Sequence, residues 1–345
     1  MGITIRDVAA AAGVSTATVS RALRGLPHVD DETRDRVRRV AQELDYVVTP
    51  SASRLASGRT GSVAVVTPFL SRWFFATVLS GVEQVLRGRD LDLLLFAVGD
   101  PTEEHRIPPE RRLRSRVDGI IVISLPIEED EAAALLTTGL PTSLIGVQAP
   151  RTPSVLIDDV AAGERAVTHL VELGHRRIGV IGGRPMPSAF APEHDRYEGY
   201  RRALAAVGRE PDPMLEAFGY FTVAGGEAAM QALLSNPDPP TAVFAMSDEM
   251  AFGAIRALTA RGLRPGADVS VVGVDGHDLG DVVGLTTVAQ PVPDLGRIAA
   301  ETLLMQMDRR PVDLAGPVAL SVPARPRVLP TRLVVRSSTA PPPHP

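Results

Sequence analysis

Four residues of one short segment, Thr16, Ala17, Ser20 and Arg21, can do recognition chemistry together. Their spacing puts them on one side of a helix, with Val19 and Leu23 (i, i+4) on the other. The outer side then carries a guanidinium, hydroxyls and a methyl. That set matches the donor, acceptor and methyl pattern of base edges in a DNA major groove. The elements around it must hold that helix. Thr4 N-caps a first helix running to Ala12, with Asp7 in its first turn, where a carboxylate favours the positive helix end. Gly13 suits the left-handed backbone of a sharp turn, and Ser15 caps the second helix, which ends at Leu23 or Arg24. Ala9 is small enough for close helix approach, and Val8, Val14, Val19 and Leu23 form an apolar interior. Asp31 or Asp30 caps a third helix whose buried stripe is Val37, Val40, Ala41 and Leu44, with Arg34, Arg36, Arg38 and Arg39 on or beside its outer face. An ordinary helical hairpin shares this amphipathicity. The spacing of Ala9, Gly13 and Val19, the polar outer face and the N-terminal position together favour a three-helix DNA-binding headpiece.

Composition bounds the remainder. At 345 residues with 44% hydrophobic content, the chain has room for more than one globular domain. No apolar run is long enough to span a bilayer, and MGITIRDVAA lacks the basic–apolar–small pattern of a secretory signal. With no cysteine there are no disulfides or thiolate metal sites, and a cytoplasmic protein is expected. The net charge of −5 conceals an asymmetry: residues 1–61 hold nine arginines against seven acids, so the head is +2 and the body −7. A basic head on an acidic body fits a binder that does not coat DNA indiscriminately. Every basic side chain apart from histidine is arginine, a choice that follows genomic base composition more than function.

From Ser62 onward, short Val/Ile-rich runs (VAVVTPF, LDLLLFAV, DGIIVISL, TSLIGV, SVLIDD, RRIGVIGG, TAVFAMSD, VSVVGVDG) alternate with helical stretches over 76–87, 160–173, 196–207, 223–234 and 249–260. Fully apolar strands between helices mean parallel sheets buried on both faces, hence an α/β fold. The strands form two sets, over 62–158 and 177–276. Two lobes imply a cleft at the strand C-terminal ends, where open α/β sheets bind ligands. A further amphipathic helix over 294–307 precedes strand-like VPARPRVLPTRLVVR, and STAPPPHP is expected to be disordered. Between head and body, Pro50 can start a helix over 51–56 that Gly58 ends, too short to be stable alone in water. It reads as a flexible tether in the free protein, or as a helix formed on DNA with Leu55 as an apolar wedge in the minor groove.

TIRDVAAAAGVSTATVSRALRG, LDYVVTPSASRLASGRTG and, in the body, HLVELGHRRIGVIGG, DRYEGYRRAL, PPTAVFAMSDEMAFGAIRAL and DVSVVGVDG…LTTVAQP together resemble the lactose-repressor (LacI/GalR) family of bacterial transcription regulators, over about Thr4 to Arg336. The resemblance implies a helix-turn-helix headpiece at 1–48, a hinge helix or linker at 49–61, and a two-lobed effector and dimerisation domain at 62–336 that is like the periplasmic binding proteins. The first lobe is expected at about 62–159 and 289–322, the second at about 160–288 and 323–336, with a disordered tail at 337–345. It further implies a homodimer, with a tetramer as the larger alternative, on a near-palindromic DNA operator. A small effector controls it, a mono- or oligosaccharide by expectation, with a purine or other non-sugar effector, or an activator role, as the alternative. No cofactor and no metal are expected.

Carried over by position, Thr16, Ala17, Ser20 and Arg21 read bases, Ser15, Thr33 and Tyr46 hold phosphates, and Thr4, Ala52 and Leu55 complete the DNA-contacting set. Ala17 can only offer a methyl to thymine, and Arg21 is the guanine reader. The hinge Pro50-Ser51-Ala52-Ser53-Arg54-Leu55 departs from the common Pro-Asn-x-x-Ala-Arg-x-Leu pattern, which affects its contacts but keeps Leu55 in place. In the lobes the resemblance points to Arg196, Ser247, Asp248 and Asp275, with Trp73, Phe74 and Phe221 as stacking aromatics. An arginine with carboxylates takes vicinal hydroxyls while a ring covers the apolar sugar face. The plainer roles are a loop cap for each aspartate, a surface salt bridge for Arg196, and core packing for Trp73 or Phe74.

Two other classes fit less well. A periplasmic binding protein shares the lobes but lacks the headpiece and carries a signal peptide. An enzyme has little to work with: RIGVIGG is not GxGxxG, there is no P-loop, and the seven histidines show no metal spacing or triad partner.

Overall fold

Local chemistry sets the ends of the three N-terminal helices, α1 (Ile5–Ala12), α2 (Thr16–Leu23) and α3 (Asp31–Glu43). The Asp7 carboxylate accepts from the Thr4 backbone N–H at 2.8 Å and from its hydroxyl at 2.7 Å. Gly13 closes α1 at φ 67°, the left-handed turn that a side chain would resist. The Ser15 hydroxyl accepts the Thr18 N–H at 3.1 Å, and the Asp30 carboxylate that of Thr33 at 2.8 Å. Asp30 is therefore the cap of α3, and Asp31 its first helical residue. Val8, Val19 and Val37 meet at the centre, wholly buried, with Ala9, Ala12, Ala22 and Ala41 letting the helices close around them. Leu23 is half-buried, because Ala22 holds the innermost place on α2.

The computed structural model describes residues 3–23, 25, 27–46, 59–99, 113–125, 137–183, 191–309 and 325–343. The chain divides into two units, Met1–Thr60 and Gly61–Pro345. The expected hinge helix over 51–56, with Ala52 and Leu55, lies outside the described residues.

The second unit contains two six-stranded sheets. The first holds β1 (Ser62–Thr67), β2 (Asp92–Ala97), β3 (Gly119–Ile123), β4 (Thr142–Ile145), β5 (Ser154–Ile157) and β11 (Arg327–Leu329), in the order β11-β5-β4-β3-β1-β2. The second holds β6 (Ile178–Gly182), β7 (Glu216–Phe218), β8 (Ala242–Ala245), β9 (Ser270–Asp275), β10 (Thr286–Ala289) and β12 (Arg332–Val334), in the order β12-β10-β9-β8-β6-β7. All neighbouring strands run parallel except β10 and β12. The inner strands β1, β3, β6, β8 and β9 are buried at every position, which is why they read as continuous apolar runs. In each sheet the order reverses beside the first strand, between β1 and β3 and between β6 and β8. Ligands bind at the strand ends of such a switch point.

Helices α4 (Trp73–Arg87) and α10 (Val292–Arg309) cover the first sheet, while α5 (Asp159–Glu172), α6 (Ala191–Ala205), α7 (Val223–Leu234) and α8 (Asp248–Ala260) cover the second; a single turn, α9 (Gly280–Val283), precedes β10. Three helix pairs are sealed by reciprocal glycines: Gly163 and Gly199 between α5 and α6, Gly226 and Gly253 between α7 and α8, Gly81 and Gly296 between α4 and α10. A Cβ on any of the six would collide with main-chain atoms of the facing helix. Among the described residues no helix is long and apolar enough to cross a membrane.

Two expectations are corrected here. Among the described residues the chain passes from one sheet to the other after β5, after β10 and at 330–331. Arg327–Leu329 therefore belongs to the first lobe, where it extends the sheet beside β5, and only β12 returns to the second. The tail is not free up to residue 343. Ser338 donates its N–H to the Gly284 carbonyl at 2.9 Å, its carbonyl accepts from Val271 at 2.7 Å, and its hydroxyl accepts from Thr286 at 2.8 Å. The main-chain groups at the starts of β9 and β10 need partners once buried, and this segment supplies them.

Candidate functional site

On the first unit, α2 presents Thr16, Ala17 and Arg21 exposed, with Ser20 half-buried beside them. Burial of Val19 and Ala22 forces this orientation. Thr4 and Ser15 are exposed at the helix starts, and Thr33 and Tyr46 are half-buried. Thr33 lies in the first turn of α3, with its own N–H taken by the Asp30 carboxylate at 2.8 Å. Arg36, Arg38 and Arg39 face solvent along α3. Arg34 does not: it folds back on Asp31 at 2.9 Å and donates to the Val29 carbonyl at 3.1 Å, so it braces the loop before α3.

On the second unit, a buried polar cluster stands at the C-terminal ends of β8, β9 and β10. Arg196 projects from α6 with its Nε 2.8 Å from an Asp159 oxygen, and it also donates to the Met246 carbonyl beside the β6/β8 switch point. Its other face looks at Asp275, with Nη1 and Oδ1 3.7 Å apart. Gln290 donates its side-chain amide to the same Asp275 oxygen at 2.8 Å. Asp275 is the last residue of β9 and holds φ at 142°, a region that side chains rarely adopt. Strain of that kind persists where the surroundings over-determine it, typically at functional positions. Burial raises the pKa of Asp159 and of Asp275, with Arg196 opposing it in both.

The predicted residues do not all converge. Asp248 is wholly buried, and its carboxylate is occupied by protein groups: the N–H groups of Gly276 (2.9 Å) and His277 (2.7 Å) and the Thr287 hydroxyl (2.7 Å). It clasps the loop that follows β9, so the plainer role of loop-holder wins, and desolvation raises its pKa. Ser247 caps α8, its hydroxyl accepting the Met250 N–H at 3.3 Å. Phe221 is half-buried at φ 53° with its ring against Gly183, past the end of β6. Phe74 packs edge-on against Phe75 in the core. Trp73 stacks on His277, with ring centroids 4.5 Å apart. Sequence reasoning missed Asp159, His277, Thr287 and Gln290. Asp159 had one legible signal, a carboxylate pair directly after an apolar strand; Gln290 had its place at a strand end before Pro291.

Charge inside the cluster is unbalanced among the described residues: Asp159, Asp275 and Asp248 surround Arg196. Asp159 and Asp275 can accept hydrogen bonds from hydroxyl groups and Arg196 can donate them, which is recognition chemistry. Among the described residues no group of histidines and carboxylates could hold a metal.

A helix-turn-helix headpiece and a two-lobed parallel α/β body define a class of DNA-binding transcription regulators. Residues 4–49 match the model for bacterial regulatory proteins of the lacI family, and residues 167–339 that for a periplasmic binding protein-like domain. The Escherichia coli (strain K12) HTH-type transcriptional repressor CytR is 33% identical over 97% of this chain and 96% of its own. Among solved structures, a lac repressor dimer bound to operator and the anti-inducer ONPF superposes with TM-score 0.82 at 27% identity, over 99% of this chain and 100% of that one. The transcriptional regulator CelR in complex with cellobiose gives TM-score 0.65 at 34% identity, over 97% and 99%. The chain belongs to the lacI family of bacterial regulatory proteins, a family of DNA-binding transcription regulators and not of enzymes.

Proposed function

We propose that this chain is a cytoplasmic repressor that binds a near-palindromic operator as a homodimer, and whose operator affinity is set by a sugar held between the two lobes. The observation that carries the effector reading is the buried Arg196–Asp275–Gln290 cluster, with Asp275 held at strained backbone beside the switch point of the second sheet. A carboxylate and a guanidinium side by side address two neighbouring hydroxyls, and the Phe221 ring lies within the same lobe to cover an apolar sugar face. The cellobiose complex of CelR supports the same ligand class. On the DNA side, Arg21 reads guanine, Thr16 and Ser20 read neighbouring base edges, Ala17 touches a thymine methyl, and Thr4, Ser15, Thr33 and Tyr46 position the backbone.

The test is a thermal-shift screen of the full chain against mono- and oligosaccharides, with purines and nucleosides included. A sugar that raises the unfolding temperature of the wild type and not of Asp275→Ala supports the reading. A shift confined to purines or nucleosides replaces the sugar with that class. A sugar shift retained in Asp275→Ala removes Asp275 from the site.

A further inference from the structure

The last described residues of the chain run across the starts of β9 and β10 and bond to two histidines. His175, in the turn between α5 and β6, is 1% exposed; its Nε2 lies 2.9 Å from the Ala340 carbonyl and 3.1 Å from the Ser270 hydroxyl. A carbonyl can only accept, so Nε2 carries the proton. In the neutral ring Nδ1 is then an acceptor, and the Thr241 hydroxyl stands 2.9 Å away to donate to it. His169, near the end of α5, sets its Nε2 2.9 Å from the Thr339 hydroxyl, which meets the Thr286 hydroxyl at 2.9 Å. Arg336 anchors the near end of the segment on Asp281 and on the Leu285 carbonyl, each at 2.6 Å. The other charged groups around the two rings are engaged. Arg176 donates to the Val171 and His175 carbonyls, Arg177 is held by Asp212 and Asp238, and Arg264 by Asp268 in the loop before β9. Glu172 favours a charge on His169, whereas a charge on His169 opposes one on His175. Among the described residues no carboxylate is paired with the His175 ring.

We propose that residues 337–342 form a proton-released strap, docked on the second lobe while the His175 ring is neutral and undocked as that ring takes a charge, in a local opening that leaves the sheet folded. A second proton on the ring goes to Nδ1, and the Thr241 hydroxyl must then turn away, toward the Arg177 carbonyl at 3.3 Å. The hydrogen bonds can be re-formed, but the charge stays buried without a counter-ion among the described residues. Burial already holds both histidines below their ordinary 6.5. Hydration of the ring relieves that cost, and the strap is the cover that can leave. It stands at the end of the chain, and its Pro341 and Pro342 have no N–H to lose. Terminal segments open at a lower cost than the sheet they lie on. Its departure uncovers the Val271 and Thr286 N–H groups, which are bonded to Ser338 at 2.7 and 2.8 Å. Linkage makes the effect reciprocal: a proton weakens the dock by the factor by which the dock weakens the proton.

Hydrogen exchange of the full-length dimer, resolved to single amides and corrected for the intrinsic pH dependence of exchange, measures the open population. Four amides report on the strap: Ser338, bonded to Gly284; Ala340, bonded to the Ser270 hydroxyl; and Val271 and Thr286, both bonded to Ser338. Their opening constant is expected to rise about 10-fold from about pH 7.5 to about pH 5.5. That is the change for one ring of ordinary 6.5 that stays neutral when docked. Val272 and Val274, further along β9, are expected to keep their protection. His175→Gln retains a donor for the Ala340 carbonyl and cannot titrate, so its strap exchange is expected to be level over the same range. Ser338→Ala removes the hydroxyl that bonds Thr286 and the Val271 carbonyl and so loosens the strap. His175, followed by NMR of labelled histidine, is then expected to titrate nearer 6.5 than in the wild type. Level strap exchange in the wild type overturns the proposal, as does the same rise in His175→Gln. A rise shared by Val272 and Val274 also overturns it, because the whole lobe is then opening. Should His175→Gln leave the strap open at every pH, Ser338→Ala decides, and an unchanged His175 titration there overturns the linkage. No sugar or DNA is added, so the outcome is independent of the effector reading.

Discussion

Gly163→Ala is the substitution that most directly joins packing to the site. Gly163 of α5 faces α6 at Arg196 itself. A Cβ there would lie 3.0 Å from both the Arg196 α-carbon and its carbonyl carbon, and nearer still to the carbonyl oxygen. Real Cβ atoms essentially never approach so closely, and ordinary contact begins at 3.4 Å, so the helices must part. A retreat of about 1 Å is needed, and overpacking of this sort costs about 1–3 kcal/mol. The better helix propensity of alanine returns up to about 1 kcal/mol of that. The net loss corresponds to a fall in unfolding temperature of a few degrees, at roughly 2–4 °C per kcal/mol for a unit of this size. The same retreat lengthens the 2.8 Å Arg196–Asp159 bond and the 3.7 Å approach to Asp275. Because bonds to charged groups contribute about 1.5–3 kcal/mol, sugar affinity is expected to fall about 10- to 100-fold. Gly88→Ala is the control: it sits in right-handed backbone with its nearest neighbour at 3.4 Å, and it is expected to leave stability equal or higher. Calorimetry with isothermal titration of the sugar found in the screen checks both. Wild-type stability and affinity in Gly163→Ala would refute the close-packing account.

In the headpiece, Arg21→Ala is expected to abolish discrimination between operator and random duplex, at roughly 1–3 kcal/mol for a bidentate base contact, whereas Thr33→Ala weakens both about equally. Gel-shift titrations at fixed salt decide it, and equal loss on both duplexes for Arg21→Ala removes it as a base reader. Asp275→Ala and Arg196→Ala are expected to keep operator binding and to lose the sugar response, read as operator release. The third concerns pH. His175 is buried, its ring bonded to Thr241, Ser270 and the Ala340 carbonyl at 2.9–3.1 Å, and burial lowers its pKa below the ordinary 6.5. A folded pKa below the unfolded one means the unfolded chain binds more protons. The stability from the neutral ring is then complete above 6.5 and is lost as pH falls through the folded value. His169 and His277 shift in the same direction. The histidine contribution is lost between about pH 7 and 5, while the raised carboxyls of Asp248 and Asp275 act in the opposite sense over the same range, so the readout is the difference between two profiles. Wild type is expected to lose stability relative to His175→Gln as pH falls, and parallel profiles exclude His175 as a source.

Much of this architecture is local, and so it can be read along the chain. Caps, the Gly13 turn and the Val19 stripe are decided within a few residues by main-chain hydrogen bonding and side-chain periodicity. That is why Thr16, Ala17 and Arg21 could be placed on an outer face before any coordinates. The apolar strands announced two parallel sheets for the same reason, since burial on both faces leaves no room for polar alternation. What the tertiary structure alone decided depends on partners distant in sequence. Asp248 and Asp275 both follow apolar strands, but only the fold shows Asp248 filled by Gly276, His277 and Thr287 while Asp275 faces Arg196 and Gln290. Arg34 looked like an outer cation until Asp31 and Val29 drew it inward. The polar tail looked disordered by composition, yet unpaired main-chain groups at the starts of β9 and β10 bind its first residues. The helix glycines carried no sign of their purpose, because a missing Cβ acquires meaning only when another backbone lies where that carbon would be.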